Sequence, residues 1–295
     1  MSLLEELGFD PEARVAVVHV DDVGMCRAAN RGALAAFESA ATCGSVMVPC
    51  PGFEDLALLA GERDGLDLGV HLTLNCEYDA YRWGPIDETA ASLKAPDGGM
   101  WRSVDETVEH ANVEDVEREL RAQIETATRA GIDVTHLDSH MGSIFHPKFI
   151  EIYLKLALEL RLPVFVPRVT REVLERTGMP QSLERYVEII DGAESMGFPI
   201  FDHLDGESLN YEAGQEEAHN LARARGLEIG LTYLITHCAA GDDELSEITP
   251  DWQQRDGECR VYSDGRMSRH FASLGIQTIG MRPLRDRLRD VLSRA

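Results

Sequence analysis

Four short apolar runs, each delivering a residue able to bind a metal or move a proton, constrain this chain more than any other feature. Val15-Ala16-Val17-Val18-His19-Val20 delivers Asp21-Asp22, and Leu68-Gly69-Val70 delivers His71. Ile132-Asp133-Val134-Thr135 leads through His136 and Asp138 to His140, and the run from Leu231 to Thr236 delivers His237. Amphipathic stretches separate these runs, the alternation that marks βαβ units and a parallel sheet. In an α/β barrel the carboxyl ends of the strands meet on one rim, and catalytic groups come from several of them. The pattern predicts a single α/β domain over residues 1–295, a TIM-barrel-like (β/α) barrel with one assembled metal site.

Further strands are expected at Gly44 to Val48, stopped by Pro49, at Leu162 to Val166, ending near Arg168, and at Pro199 to Phe201, delivering Asp202 and His203. Helices are expected at about Arg27 to Ser39, Phe53 to Gly61, Val113 to Ala130, Pro147 to Leu160 and Asn210 to Arg225. Glu114, Asp115 and Glu117 early in the third of these, Arg129 late and Gly131 after it fit the helix dipole and C-cap rules. The stretch from 75 to 112 interrupts the alternation after the third strand. It is rich in Gly, Pro and aromatics (Tyr78, Tyr81, Trp83, Trp101), and long loops of this kind often act as lids.

The formal charge of −24, with Lys94, Lys148 and Lys155 as the lysines, disfavours nucleic acid and anionic membrane as partners. A small neutral or cationic ligand fits better. No stretch approaches the ~20 apolar residues of a membrane span. The acidic start, Met1-Ser2-Leu3-Leu4-Glu5-Glu6, lacks the basic and apolar segments of a secretory signal, so cytoplasmic residence is expected. Cys26, Cys43, Cys50, Cys76, Cys238 and Cys259 form no Cys-x-x-Cys pair and read as free thiols. Cys238, beside His237, reads as buried rather than nucleophilic.

An Asp-Asp pair at a strand end can divide labour, one carboxylate binding a cation while the other acts as general base. Taken alone, such a pair is as readily the N-cap of the next helix. His71 alone is a common kind of core histidine. The segment His136 to His140 is more specific, because imidazole is the commonest transition-metal ligand and a neighbouring carboxylate, here Asp138, often orients it. One Asp and two His from different strands leave coordination positions open, the mark of a catalytic rather than a structural site. His237 is the candidate general acid, expected across the leaving group from the base. His203 and His146 lie just beyond strand ends; His19 reads as structural.

Val-Asp-Asp-Val-Gly at 20–24, Gly-Val-His-Leu-Thr-Leu at 69–74 and Thr-His-Leu-Asp-Ser-His at 135–140 resemble the YdjC-like carbohydrate deacetylases, the family of chitooligosaccharide deacetylases. Ile-Thr-His at 235–237 is similar to that family's late His-Pro-Gly segment. The resemblance implies a somewhat distorted (β/α) barrel that hydrolyses an N-acetyl group on a sugar. It implies Asp22, His71 and His140 as metal ligands, Asp21 as general base and His237 as general acid. Two departures flank the site. Met141-Gly142-Ser143 stands where the family often carries further histidines, and Cys238-Ala239-Ala240 follows His237 in place of Pro-Gly.

The expected cofactor is one divalent ion, zinc or magnesium, with zinc favoured by two nitrogen ligands. The expected partner is a small N-acetylated sugar; self-association into a homo-oligomer stays open. Asp138 and His136 are expected to support the ligands, and Tyr81, Trp83, Arg168 and Asp202 to touch substrate. Two rivals remain. A non-haem iron oxygenase uses the same two-His-one-carboxylate set, though commonly on antiparallel β folds. A non-catalytic sugar-binding barrel would retain the fold alone.

Overall fold

The computed structural model describes residues 2–168 and 183–294. Among the described residues, seven strands form one sheet: β1 (Arg14–Val23), β2 (Cys43–Val46), β3 (Leu68–Leu72), β4 (Val134–Ser139), β5 (His203–Asp205), β6 (Gly230–Thr236) and β7 (Ile276–Thr278). Their order is β4-β3-β2-β1-β6-β5, with β7 also on β1, and every pairing is parallel. Isolated parallel bridges, Leu137 with Val164 and Pro167 with Phe201, tie the chain between β4 and β5 to this sheet. The strand expected at 162–166 is reduced to those bridges. Pro163 and Pro167 supply no N–H, so a continuous ladder does not form there.

β1 explains the architecture. It is a Val-rich run buried on both faces, as strands of covered parallel sheets are. Ala16, Val18 and Val20 join a large outer cluster with the helices. Val15 and Val17 meet Phe165, Phe201, Leu231 and Tyr233 on the inner face. Burying each such side chain is worth about 1.5–3 kcal/mol. Because side chains alternate along a strand, His19 and Asp21 continue that inner face. On β3 and β4 the outer cluster takes Val70, Leu72 and Leu137, which leaves His71, His136 and Asp138 inside. Gly69 makes room for this: a Cβ there would stand 2.6 Å from the His136 ring.

Register then sets neighbours. Val20 pairs with Thr236, which brings Asp21 beside His237, and His71 pairs with Asp138. The helices Arg27–Phe37, Phe53–Gly61 and Val113–Arg129 lie where the periodicity predicts them. The next begins at Ile150, so Pro147 precedes it rather than sitting in its first turn, and Asn210–Gln215 stays outside the helix Glu216–Arg225. The helix Trp252–Ser263 is unforeseen. Its buried positions include Arg255 and Glu258, and polar residues on the inward face hide the apolar period.

Residues 75–112 carry structure of their own: a 3₁₀ turn at Ala91–Leu93, an antiparallel bridge from Lys94 to Met100 and a helix at Val104–His110, capped by Ser103 and Glu106. Tyr78, Trp83 and Met100 pack with Met25, Cys50 and Cys76 in a separate apolar cluster. Among the described residues, no helix is long and apolar enough to cross a membrane.

Candidate metal centre and its cleft

Asp22, His71 and His140 meet at the carboxyl end of the strands. Asp22 Oδ1 lies 3.4 Å from His71 Nε2 and 3.3 Å from His140 Nδ1, and all three residues are buried. A strand alone would turn Asp22 away from Asp21. Asp22 instead adopts φ 61°, a left-handed conformation that is rare for a non-glycine residue. That strain, of order 1–3 kcal/mol, turns two adjacent carboxylates toward one site.

Each ligand candidate is held from behind. His71 Nδ1 donates to Asp138 Oδ1 at 2.9 Å, while Asp138 Oδ2 accepts from Ser45 at 2.8 Å and Tyr233 at 3.2 Å. His140 Nε2 lies 3.0 Å from Glu77 Oε2. Arg255 donates to Asp22 Oδ2 at 2.7 Å and to Asp251 at 2.8 Å, leaving Asp22 Oδ1 to face the imidazoles. Carboxylates behind ligating histidines fix the tautomer and raise ligand basicity. The donor set thus fits a divalent ion: two imidazole nitrogens and one carboxylate oxygen, all within 4.8 Å of one another.

The electrostatics follow from these contacts. Burial pushes the Asp22 carboxyl up, but Arg255 and hydrogen bonds from His140 and His71 outweigh it and hold the group well below its usual range. Burial disfavours the His71 cation, yet Asp138 raises its pKa well above the ordinary value. Burial also opposes protonation of His140, but Glu77, then Asp22, lift it to about 9. In this state an ion competes with protons for both imidazoles.

A second group of potential ligands, His19, His136 and Asp138, lies deeper. His19 Nε2 and His136 Nε2 are 2.8 Å apart. Two nitrogens on one tetrahedral ion with bonds near 2.0–2.1 Å would stand about 3.3 Å apart, so this spacing is that of a hydrogen bond. The Thr135 hydroxyl donates to Asp67 and therefore accepts from His136 Nδ1. Burial, then His19, pushes His136 down to about 3, which keeps its Nε2 free to accept from His19. His19 Nδ1 lies 2.6 Å from Asp21 Oδ1. Far from being an incidental structural residue, His19 orients the candidate base. His136 reaches the site only through it.

Asp21 Oδ2 is 4.0 Å from His237 Nε2. The acid and base candidates therefore stand side by side rather than across from each other. Both line a cleft of about 320 Å³ with Asp22, His71, His140, Glu77, Phe145, Phe165, Tyr233, Ile235 and Arg255.

None of the four substrate-contact candidates lines the cleft, although the Trp83 ring packs edge-on against His140 at 6.1 Å between centroids. Trp83 is buried, its indole N–H bound to Asn75 O, and the Tyr81 hydroxyl donates to Met25 O. Neither lines the cleft. Arg168 pairs with Glu194, and Asp202 accepts from Leu231 N at the start of β6. Both border a different hollow beside Ser2, Glu6 and Gly230. The reason is strand polarity: the strand expected to end at Phe201 instead begins at His203, so Asp202 belongs to the amino end. His203 and His146 stay outside the cleft, and burial pushes the Cys238 thiol well up, against a nucleophilic role. Sequence reasoning missed Glu77, Arg255, Ser45, Ser208, Tyr233 and Glu258. An acid one residue beyond Cys76 or an arginine in a polar helix carries no periodic signal.

With that geometry in place, comparison with known proteins is decisive. The family model for YdjC-like proteins matches residues 15–273. The chain belongs to the YdjC-like family. It is 36% identical over 272 residues to a carbohydrate deacetylase of Thermus thermophilus, covering 92% of this chain and 94% of that one. A carbohydrate deacetylase of Brevibacillus brevis is 38% identical over 266 residues, 89% and 96% of the two chains. The fold of this YdjC-like protein is similar to the crystal structure of a cellobiose-phosphate cleavage protein from Enterococcus faecalis. The TM-score is 0.75 at 22% identity, covering 92% of this chain and 99% of that one.

Proposed function

We propose that this YdjC-like protein is a metal-dependent hydrolase that removes an N-acetyl group from an amino sugar or short oligosaccharide. The observation that carries the reading is the Asp22–His71–His140 cluster at the floor of a cleft that Asp21 and His237 also line. The relatives named carbohydrate deacetylase supply the substrate class. Zinc is favoured by the two nitrogen donors, and magnesium is the alternative. A divalent ion held there supplies Lewis acidity toward a carbonyl oxygen and lowers the pKa of bound water.

The chain's own groups do the rest. Asp21 presents Oδ2 to the cleft because His19 engages Oδ1, so Oδ2 is the oxygen that takes a proton from the attacking water. His237 Nε2 gives a proton to the departing nitrogen. The water and that nitrogen become substituents of one carbon, so a base and an acid 4.0 Å apart suit the reaction. Arg255 keeps Asp22 ionised and directs a single oxygen inward. Phe145, Phe165 and Tyr233 offer the aromatic surface of the cleft, in place of Tyr81 and Trp83. The bridges at Val164 and Pro167 support reading the sheet as a closed, distorted barrel, and 1–295 as one catalytic domain.

A panel of N-acetylated mono- and oligosaccharides, scored for free amine with and without chelator, tests this. Amine release that chelator abolishes is expected. Sugar binding without amine release would favour a non-catalytic barrel. Oxygen consumption with ferrous iron would favour an oxygenase.

A further inference from the structure

Behind His237, away from the cleft, two buried groups, Ser208 and Glu258, continue from its ring as a directed hydrogen-bond chain that the proposed reaction does not use. His237 Nδ1 lies 2.8 Å from Ser208 Oγ, and Ser208 Oγ lies 2.7 Å from Glu258 Oε2. Ser208 is 1% exposed and Glu258 0%. The direction of the chain follows from counting donors. Glu258 Oε2 also accepts from the His237 backbone N–H at 2.6 Å, and Oε1 accepts from Arg223 at 3.2 Å. With its oxygens taking up backbone, hydroxyl and guanidinium donors, Glu258 acts as acceptor and the Ser208 hydroxyl must donate to it. Ser208 Oγ then accepts, and the partner left for it is a proton on His237 Nδ1. Arg223 is anchored in turn by Asp205 and the Ile235 carbonyl, so the carboxylate cannot turn away.

We propose that Ser208 and Glu258 are positioning residues that keep His237 in the Nδ1–H tautomer. Nε2, 4.0 Å from Asp21 Oδ2 and bordering the cleft, is then the nitrogen whose proton is mobile. The role in turnover rests on the deacetylase reading. As the carbon–nitrogen bond breaks, the Nε2 proton passes to the departing nitrogen, and the ring is left neutral with its remaining proton on Nδ1. Without the relay a neutral imidazole is free to carry its proton on Nε2 and rotate, and the acid is present but misdirected. The three members come from separate elements: the end of β6, the loop after β5 and the helix Trp252–Ser263. The arrangement therefore depends on tertiary packing and not on a local motif.

The test is the ¹⁵N spectrum of the imidazoles in the full-length protein, with the His237 signals assigned by their loss in His237→Gln. In the neutral ring, the wild type and Ser208→Thr, which keeps the hydroxyl, should show a proton on Nδ1. Ser208→Ala should shift the neutral ring toward Nε2–H. On the substrate identified by the amine-release panel, Ser208→Ala should lose on the order of 10- to 100-fold in kcat with little change in KM, a fraction of the 10²–10⁴ typical of general acid–base catalysis. Ser208→Thr should recover most of that loss. Glu258→Gln, a stricter test because Arg223 also depends on it, should show the same tautomer shift if it folds. A wild-type ring protonated on Nε2, or an Ser208→Ala ring still on Nδ1, would overturn the relay. Failure of the wild type to release amine would count against the deacetylase reading, while the tautomer result would still stand or fall by itself.

Discussion

At the carboxyl end of the strands, Asp22, His71 and His140 are 2–4% exposed and every one shares a partner with another. At the amino end, Arg168, Glu194 and Asp202 are 42–52% exposed by side chain and pair loosely or singly. The residue types overlap, and their position in the sheet separates their roles. A buried charge needs pairing and hydrogen bonds to persist, so the carboxyl end has become a preorganised network. An exposed ion pair is worth ~0–1 kcal/mol and imposes little geometry. A charged residue near a strand run is therefore informative only once strand direction is known.

The largest expected effect tests the division of labour inside the network. Asp21→Asn should lose at least 10²-fold in amine release while metal content, read by elemental analysis, stays that of the wild type. Asp22→Asn should lose the metal itself. Equal metal loss in both would break the distinction between the two neighbouring carboxylates. Next in size, Glu77→Gln should weaken metal affinity about 10–100-fold, the usual cost of removing a group that orients a ligating histidine. Unchanged affinity would remove Glu77 from the site.

The third concerns pH. His140 holds its proton to about 9 in the metal-free protein, because Glu77 and Asp22 overcome the effect of burial. Metal must displace that proton. Asp138 raises the His71 pKa as well, so affinity should rise with pH to at least about 9, with protons released on binding at pH 7. Calorimetry in buffers of different ionisation enthalpy measures this, and binding without proton release would contradict it. The smallest effects belong to the other end. Arg168→Ala and Asp202→Ala should leave kcat/KM within about twofold, and loss of the Asp202 acceptor should cost about 1 kcal/mol of stability. A large rise in KM would bring these residues back to the substrate. At the carboxyl end, beside His140, Trp83→Phe removes a buried hydrogen bond and should likewise cost about 1 kcal/mol without changing KM.

Much of the site was legible because parallel strands are buried on both faces, so a polar residue ending an apolar run is conspicuous. Asp21, Asp22, His71, His140 and His237 all announce themselves that way, and the structure gathers them at one cleft. Asp138 was read as a support for the histidines of its own segment, whereas strand register sets it beside His71 on the neighbouring strand. What was not legible depends on contacts between distant segments. Arg255 and Glu258 sit in a helix whose inward face is polar. Glu77 and Ser208 lie in loops, where spacing has no period to read. Asp202 was misplaced because a strand start and a strand end look alike in a short apolar run. The aromatics of 75–112 suggested sugar stacking, but Tyr78, Tyr81 and Trp83 pack in an apolar cluster with Met25, Met47 and Leu245, and Trp101 stacks on His110.

The central claim is that Asp22, His71 and His140 together hold one divalent ion on which hydrolysis depends. The direct test strips the protein with chelator and returns zinc in fractions of an equivalent while amine release is followed. The account predicts no activity at zero zinc, a linear rise and a break at one ion per chain, with no recovery in Asp22→Asn. Full activity in the stripped protein, or recovery in Asp22→Asn equal to that of the wild type, would contradict it.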